Sequence, residues 1–293
     1  MKILKRHIHI GFLSISAILL SNLFFWGCEN QPTELEDYNP QPILTAFIFN
    51  GEPVESVRLE WVAPLYSYYQ PSDWGISDAE IILFPVGNPS ADDTLHFVES
   101  ANPDSHGVYI PVPSESLIPQ GKVRYRIEVR KPSDGINLWA ETMVPDTFSM
   151  MESPYEVINN SISIPLDWND PIMTLNWTIP DSADGFIATT FCLTPYDSLI
   201  TLDPDADLDE QENPQQLGII NIGPTTLELP WILFSWVGWH KIELQATGTD
   251  YLEYCQSVLY TQNVDPIFNI HGGIGIFAGF SRHYYFVYLQ RAQ

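Results

Sequence analysis

Basic side chains are scarce in this chain. Its 293 residues include 12 Lys and Arg against 37 Asp and Glu, which gives a formal net charge of −25 at pH 7. A surface of that sign repels the phosphates of nucleic acids and of bare anionic membranes. The composition therefore argues against nucleic acid as a partner, and solubility in a crowded exported compartment is a sufficient explanation of the charge.

Catalytic motifs are also missing. The sequence has no His-Glu-x-x-His, no Gly-x-Ser-x-Gly, no Walker loop and no dinucleotide-binding glycine loop after a strand. Its histidines show no metal-ligand spacing, and paired carboxylates are too common in so acidic a chain to single out one pair. We therefore predict a protein that is not an enzyme, with no catalytic residues and no cofactor.

Cysteine is limited to three positions, Cys28, Cys192 and Cys255. Cys192 and Cys255 lie in the C-terminal half, where an oxidising compartment would allow a disulfide between them. Two separate buried thiols would look the same in sequence, so both alternatives stay open.

Cys28 closes the longest uncharged stretch of the chain. Three basic residues lie within Met1–Arg6, the 18 residues of Ile10–Gly27 carry no charge, and Glu29 follows Cys28 directly. This order resembles a bacterial lipoprotein signal, which predicts cleavage after residues 1–27 and lipid attachment at Cys28. An uncleaved membrane anchor and ordinary cleavage are the alternatives. More than one acyl chain would give stable anchoring.

The segment after Cys28 is rich in proline and acidic residues and has hardly any apolar side chain. It cannot bury enough surface to offset the entropy of ordering, so residues 28–42 are expected to be a flexible acidic tether. The folded part is expected to begin near Ile43.

Short alternating segments separated by Pro, Gly, Asn or Asp predict an all-β protein made of two tandem β-sandwiches. The first, residues 43–145, is expected to be immunoglobulin-like or prealbumin-like. Its seven predicted strands are Ile43–Phe49, Val54–Val62, Ala79–Phe84, Thr94–Val98, Gly107–Pro111, Gly121–Arg130 and Asn137–Val144.

Residues 146–293 are expected to form the second sandwich. Ile172–Ile179 and His240–Thr247 alternate like fibronectin type III strands, with Trp177 as a core tryptophan. Residues 250–260 break the alternation and predict a short helix packed against this second sandwich. The apolar run Trp231–Trp239 is expected to be buried between that sandwich and the helix.

Basic residues concentrate on one face of the predicted strand Gly121–Arg130. Val123, Tyr125, Ile127 and Val129 would point inward, which leaves Arg124 and Arg126 on the opposite face. Such a stripe is either a docking surface for an anionic partner or a solvated sheet face balanced by carboxylates on neighbouring strands.

Two further segments carry candidate binding residues. The loop Pro64–Gly75 contains four aromatic residues that could stack on a sugar or anchor a protein partner, or could cap the end of the core instead. They are Tyr66, Tyr68, Tyr69 and Trp74.

The second segment alternates carboxylates as calcium loops do, which makes it a weak calcium candidate beside the simpler interpretation as a solvated acidic loop. Its residues are Asp203, Asp205, Asp207 and Asp209.

The C-terminal sequence Asp265–Phe280 resembles the closing motif of bacterial exported lipoproteins catalogued as domain of unknown function 4249 (DUF4249). The matching elements are Asn269-Ile270, Gly272-Gly273, Gly275-Ile276-Phe277 and Tyr254 of the preceding helix. The resemblance extends to the lipoprotein signal and to the strand near Pro42–Asn50. From the residues themselves, we expect the glycines around Ile274 to mark close backbone packing or turns.

The resemblance implies location and partners rather than chemistry. It implies a Bacteroidetes-type lipoprotein of the outer membrane, on the cell surface or the periplasmic face, that acts as a non-catalytic accessory of a TonB-dependent nutrient receptor. The alternative is a free-standing surface module for adhesion or glycan binding. The implied partners are the membrane, through the lipid anchor, the receptor, and a small-molecule or glycan ligand of unknown identity.

Overall fold

The computed structural model describes residues 40–64, 67–87, 93–149, 173–195, 198–202, 216–221, 225–230, 233–260 and 266–290. Residues 40–293 belong to one compact unit. The described part is mainly β and carries one α-helix, α1 (Thr249–Tyr260). Its strands are β1 (Pro42–Phe49), β2 (Val57–Trp61), β3 (Glu80–Pro85), β4 (Leu95–Glu99), β5 (Val108–Pro111), β6 (Arg124–Lys131), β7 (Ile136–Met143), β8 (Met173–Asn176), β9 (Gly185–Cys192), β10 (Gln216–Asn221), β11 (Thr226–Leu229), β12 (Gly238–Thr247) and β13 (Ile274–Leu289).

Eleven of these strands form one continuous sheet in the order β10-β9-β12-β13-β1-β2-β5-β4-β3-β6-β7, and β8 pairs with β11 separately. The ladders are antiparallel except for β1 and β13, which run parallel with Ala46 opposite Phe277. The sheet curves until β7 reaches the segment before β13, where Trp139 and His271 exchange backbone hydrogen bonds of 3.2 and 2.8 Å. Eight strands, from β13 through β1 to β7, therefore enclose the first core.

The predicted all-β class is confirmed, and the seven predicted strands of the first half correspond to β1–β7. Alternation explains the agreement, because every second side chain of a strand must enter the core. In β6 the side chains of Tyr125, Ile127 and Val129 are 3% exposed or less. The first core also includes Leu44, Ile48, Leu59, Ile81, Leu83 and Leu138.

A second core lies among β8, β9, β11, β12 and the end of β13. Trp177 is fully buried there, as expected for a core tryptophan, and its ring centroid lies 4.9 Å from that of Phe186. Leu233 and Phe234 of the apolar run Trp231–Trp239 also pack in this core, which contains no residue of the helix, and residues 231 and 232 lie outside the described residues. Trp239, at the end of that run, is 39% exposed.

The two cores share β13. Phe277 packs in the first core, whereas Val287 and Leu289 pack in the second. Apart from residues of the C-terminal segment, the first core is formed by residues up to Val144 and the second by residues from Phe148 onward. The division into residues 43–145 and 146–293 stays a prediction, and the structure adds that one strand serves both cores.

Helix α1 was predicted in the right place, but it packs differently from the expectation. The apolar side chains of the helix do not share one buried face, since Leu252 is buried but Val258 is 51% exposed. The Tyr251 ring packs edge-on against two rings, with centroid distances of 4.9 Å to Phe280 and 5.8 Å to Phe47. The helix therefore covers the outer face of β1 and β13. Asp250 lies in the first turn, and the N–H of Thr249 donates to Asp184 at 2.9 Å.

The glycines of the C-terminal motif mark close backbone approach, as expected. A Cβ on Gly275 would lie 2.1 Å from the Leu44 carbonyl oxygen of β1, and Gly275 has φ +114°. A Cβ on Gly279 would lie 2.8 Å from the Met143 carbonyl oxygen. Side chains at these positions would therefore force β13 away from β1 and from the end of β7.

Asn269 completes the pairing of β13 where no strand does. Its Nδ2 donates to the Phe277 carbonyl oxygen at 2.7 Å, and its Oδ1 accepts from the Phe277 N–H at 3.0 Å. The amide side chain thus satisfies both backbone groups of a residue whose ring is fully buried. Asn269, Gly275 and Phe277 of the C-terminal motif therefore have structural roles.

His240 is a buried titratable group in the second half of the protein. It is 2% exposed, its Nδ1 lies 3.0 Å from the Gly238 carbonyl oxygen, and its Nε2 has no hydrogen-bond partner among the described residues. Burial lowers the pKa of His240 below its usual value of 6.5, despite the hydrogen bond to Gly238.

We predict that Gly275→Ala destabilises the fold by about 2–4 kcal/mol, because it adds a clash with Leu44 to the strain of a positive φ. Gly135→Ala is the matched control, since Gly135 has φ +71° but nothing within 4 Å of an added Cβ. Urea unfolding of both variants measures the difference. Equal destabilisation would show that the approach of β13 to β1 is not tight.

We also predict that stability falls as the pH drops below 6.5. The unfolded chain binds a proton at His240 before the folded chain does, so the loss begins near 6.5 and is complete below the folded-state pKa. Each unit of pKa depression corresponds to about 1.4 kcal/mol. His240→Leu should flatten the difference in unfolding free energy between pH 7.5 and 5, which urea unfolding at the two pH values measures; an unchanged difference would contradict the prediction.

Candidate functional site

The aromatic loop divides into exposed and packed residues. Tyr66 lies outside the described residues. Tyr68 is 85% exposed and Tyr69 is 49% exposed, whereas Trp74 is half-buried. The Tyr69 hydroxyl donates to Glu60 at 2.9 Å, and burial together with this hydrogen bond raises the pKa of Tyr69. Trp74 fits the capping interpretation, and the two tyrosines remain accessible to a ligand.

A polar cluster beside this loop was not found from the sequence. The Ser77 hydroxyl lies 2.6 Å from His106 Nε2 and 2.9 Å from Glu99 Oε1, and His106 Nδ1 lies 2.8 Å from the Ser72 carbonyl oxygen. A hydroxyl beside an imidazole is the unit of nucleophilic catalysis. Here the Glu99 carboxylate accepts hydrogen bonds from the Ser77 hydroxyl and, at 3.2 Å, from the Gly107 N–H. It does not accept one from the imidazole Nδ1, which lies beside the Ser72 carbonyl oxygen. The cluster therefore ties the loop to the start of β5.

Most of the basic stripe is balanced by carboxylates. Arg126 contacts Glu128 at 2.9 Å and Glu141 at 3.4 Å, and Arg130 contacts Glu128 at 2.8 Å. The Arg126 guanidinium also lies 4.3 Å from the Trp139 ring centroid, and the His271 ring stacks on Trp139 at 3.7 Å. This part of the stripe fits the interpretation as a solvated sheet face.

Arg124 differs from its neighbours. Its nearest carboxylate oxygen, on Glu141, lies 4.0 Å away, and half of its side chain is exposed. It lines a cavity of about 330 Å³ where β6 and β7 meet the turn before β9 and the first turn of α1. We call this the polar cavity. The sequence singled out Arg124 but could not show this setting, because the cavity walls come from five segments that are far apart in the sequence.

The polar cavity carries charges of both signs. Asp184 and Asp250 line it with Arg124, and neither carboxylate forms an ion pair with that arginine. Thr142 and Thr247, both buried, also line the cavity, and their hydroxyl groups form hydrogen bonds with the two backbone groups of Gly279. Thr142 Oγ1 accepts from the Gly279 N–H at 3.1 Å, and the Thr247 hydroxyl donates to the Gly279 carbonyl oxygen at 3.2 Å. The arrangement offers donors and acceptors to a polar solute on a fixed base.

A second surface, absent from the sequence predictions, lies on the outer side of β12 and β13. Trp239 pairs with Tyr288 in the strand register, and Tyr284 and Phe286 follow on the same face. Their ring pairs are both edge-on, Trp239 with Tyr288 at 5.4 Å and Tyr284 with Phe286 at 5.8 Å. We call these four residues the aromatic face. Aromatics at every second position from 284 to 288 were the signal that could have revealed it.

A charge network borders the aromatic face. Glu243, 2% exposed, accepts from Lys241 and Gln245 at 2.6 Å each and from Arg282 at 3.3 Å. Burial acts to raise the pKa of Glu243, but these hydrogen bonds and the two cations outweigh it and leave the pKa lowered. Arg282 also pairs with Glu52, and that hydrogen bond leads the causes that raise the pKa of Arg282.

Several predicted sites lie outside the described residues: Cys28 with its signal, and the calcium candidates Asp203, Asp205, Asp207 and Asp209. Within the described ranges, no group of three or more His, Cys, Asp or Glu side chains could hold a metal ion. Cys192 and Cys255 are free thiols. No helix in the described part of the chain is long and apolar enough to cross a membrane.

Comparisons with known proteins add little. No family model and no curated protein matches the chain. Among solved structures it is similar to the native conformation of E. coli alpha-2-macroglobulin, with 11% sequence identity and a TM-score of 0.23. The similarity covers 87% of this chain and 15% of the macroglobulin chain. A TM-score this low carries no argument about function, and the resemblance to the DUF4249 lipoproteins stays a prediction.

Proposed function

We propose that this chain is a non-catalytic binding component, anchored to the outer membrane by lipid at Cys28, that captures a small polar solute for a TonB-dependent receptor. The observation that carries the binding role is the polar cavity, which is lined by Arg124, Asp184 and Asp250 with no ion pair between the arginine and either aspartate. The anchor and the receptor are supported by the N-terminal sequence and by the resemblance of the C-terminal motif.

The polar cavity suits a small solute in size and chemistry. Its volume of about 330 Å³ lies at the lower end of the range for ligand pockets, roughly 300–1,000 Å³. Arg124 supplies directed N–H donors, and Asp184 and Asp250 supply acceptors, while Tyr251 and Met143 add apolar contact. A monosaccharide or an amino acid would present complementary groups to each wall.

A free-standing adhesion or glycan-binding module is the second candidate. The observation that favours it is the exposure of Tyr68 and Tyr69, at 85% and 49%, on the loop next to β2. Exposed aromatic rings stack on sugars and anchor protein partners. Loss of glycan binding on Tyr68→Ala, with the polar cavity intact, would favour this function over the first.

A monosaccharide or an amino acid that binds in the polar cavity should raise the melting temperature of the protein. Arg124→Ala should weaken that binding at least about tenfold, which corresponds to about 1.4 kcal/mol. Arg130→Ala is the matched control on the same strand, because Arg130 pairs with Glu128 and lies outside the cavity lining. Calorimetric titration of the three proteins measures the affinities. Equal affinity of Arg124→Ala and wild type would remove the cavity from the proposal.

For the anchor and the receptor, we expect fatty-acid label on the exported wild-type chain and none on Cys28→Ser. Affinity purification from detergent-solubilised membranes should recover an integral outer-membrane receptor with the labelled protein. Labelling without any receptor, from cells that express both, would contradict the accessory role but leave the anchor in place.

A further inference from the structure

The three charged side chains of the polar cavity come from three separate elements. Arg124 begins β6, Asp184 lies directly before β9, and Asp250 lies in the first turn of α1. All three residues are exposed to solvent. A solute that enters the cavity therefore meets one guanidinium and two carboxylates.

The two aspartates have no intramolecular cation. Neither Asp184 nor Asp250 forms an ion pair with a Lys, Arg or His side chain of the described residues. Lys122, on the turn before β6, is used elsewhere, since it contacts Asp146 at 2.8 Å and Asp181 at 3.2 Å. The two carboxylates of the cavity are therefore available to a cation from outside the chain.

The charged groups of the cavity also keep hydrogen-bonding capacity. Asp184 Oδ2 accepts from the Thr249 N–H at 2.9 Å, which leaves Oδ1 for a ligand. Arg124 shares its nearest carboxylate, because Glu141 lies 4.0 Å from Arg124 but 3.4 Å from Arg126. A guanidinium has five N–H donors, so Arg124 can still bind a second carboxylate.

The backbone beside the cavity is strained at two turns. Lys122 has φ +65°, and Ser182, which lines the cavity, has φ +66°. Residues other than glycine rarely adopt such values, and strain of this kind clusters at sites that bind ligands. The ion pair between Lys122 and Asp181 joins the two turns. The backbone therefore supports a ligand site here independently of the charges.

The charges decide between the two classes of solute that suit the cavity. A bound solute displaces water from the charged side chains, and a neutral monosaccharide returns hydrogen bonds but no opposite charge. An α-amino acid carries a carboxylate, which accepts paired hydrogen bonds from a guanidinium such as that of Arg124. Its ammonium has three N–H donors, enough for both Asp184 and Asp250. The amino acid thus compensates charges of both signs.

We propose that the polar cavity binds a free α-amino acid as its zwitterion, with Arg124 on the carboxylate and Asp184 and Asp250 on the ammonium. The inference rests on the solute-capture role proposed above and names the class of solute. Met143 and Tyr251, which also line the cavity, offer apolar contact to the side chain of the amino acid.

Calorimetric titration of the full chain in detergent tests the proposal with alanine, leucine and glutamine. At least one of the three should bind. The N-acetyl derivative of the tightest binder keeps the carboxylate but has no ammonium, so it should bind at least about tenfold more weakly. This comparison needs no variant of the protein.

A charge-removing variant gives a second measurement. Asp184→Asn combined with Asp250→Asn should weaken binding of the same amino acid at least about tenfold. An asparagine at position 184 can still accept from the Thr249 N–H, so the variant keeps that hydrogen bond. Glu253→Gln is the matched control, because Glu253 is an exposed acidic residue of α1 outside the cavity lining, and its affinity should equal that of the wild type.

The outcomes separate this inference from the proposed function. Equal affinity for the amino acid and its N-acetyl derivative, or unchanged affinity on loss of both carboxylates, would overturn the inference. Binding of glucose or galactose but of no amino acid would also overturn it and would leave the solute-capture role in place. Binding of neither class would contradict both proposals.

Discussion

The parallel pairing of β13 with β1 is the contact on which the rest of the structure depends. It joins the first described strand to the last and requires the two backbones to approach where Gly275 faces the Leu44 carbonyl. Asn269 supplies the missing hydrogen bonds on the other side of Phe277. An extended strand with one buried face and both edges satisfied can then carry two cores at once.

Each candidate surface takes its position from this strand. The inward side chains of β13 enter the first core at Phe277 and the second at Val287. Gly279 forms hydrogen bonds with the hydroxyl groups of Thr142 and Thr247 beside the polar cavity, and Tyr284, Phe286 and Tyr288 form most of the aromatic face. Binding groups placed on a strand that is packed along its whole length are held more rigidly than groups on a loop such as the one carrying Tyr68.

Local patterns were enough to predict the seven strands of the first half, two strands of the second half, the helix and the structural use of the glycines, but not β9, β10, β11 or β13. Alternation identified β6 because its period reflects burial of Tyr125, Ile127 and Val129 directly. Pairing over long sequence distances leaves no such local pattern, so neither the closure of β7 near His271 nor the setting of Arg124 was visible. The aromatic face escaped notice for the same reason, since Trp239 and Tyr288 become neighbours only through the β12–β13 register.

The central claim is that the C-terminal strand completes the first core, and a fragment experiment tests it most directly. The fragment of residues 40–145 contains β1–β7 but lacks the strand that pairs with β1 and the segment that meets β7. The account predicts that this fragment alone shows no cooperative thermal unfolding transition and acquires one when the peptide of residues 266–290 is added. A cooperative transition of the fragment alone, unchanged by the peptide, would contradict the account.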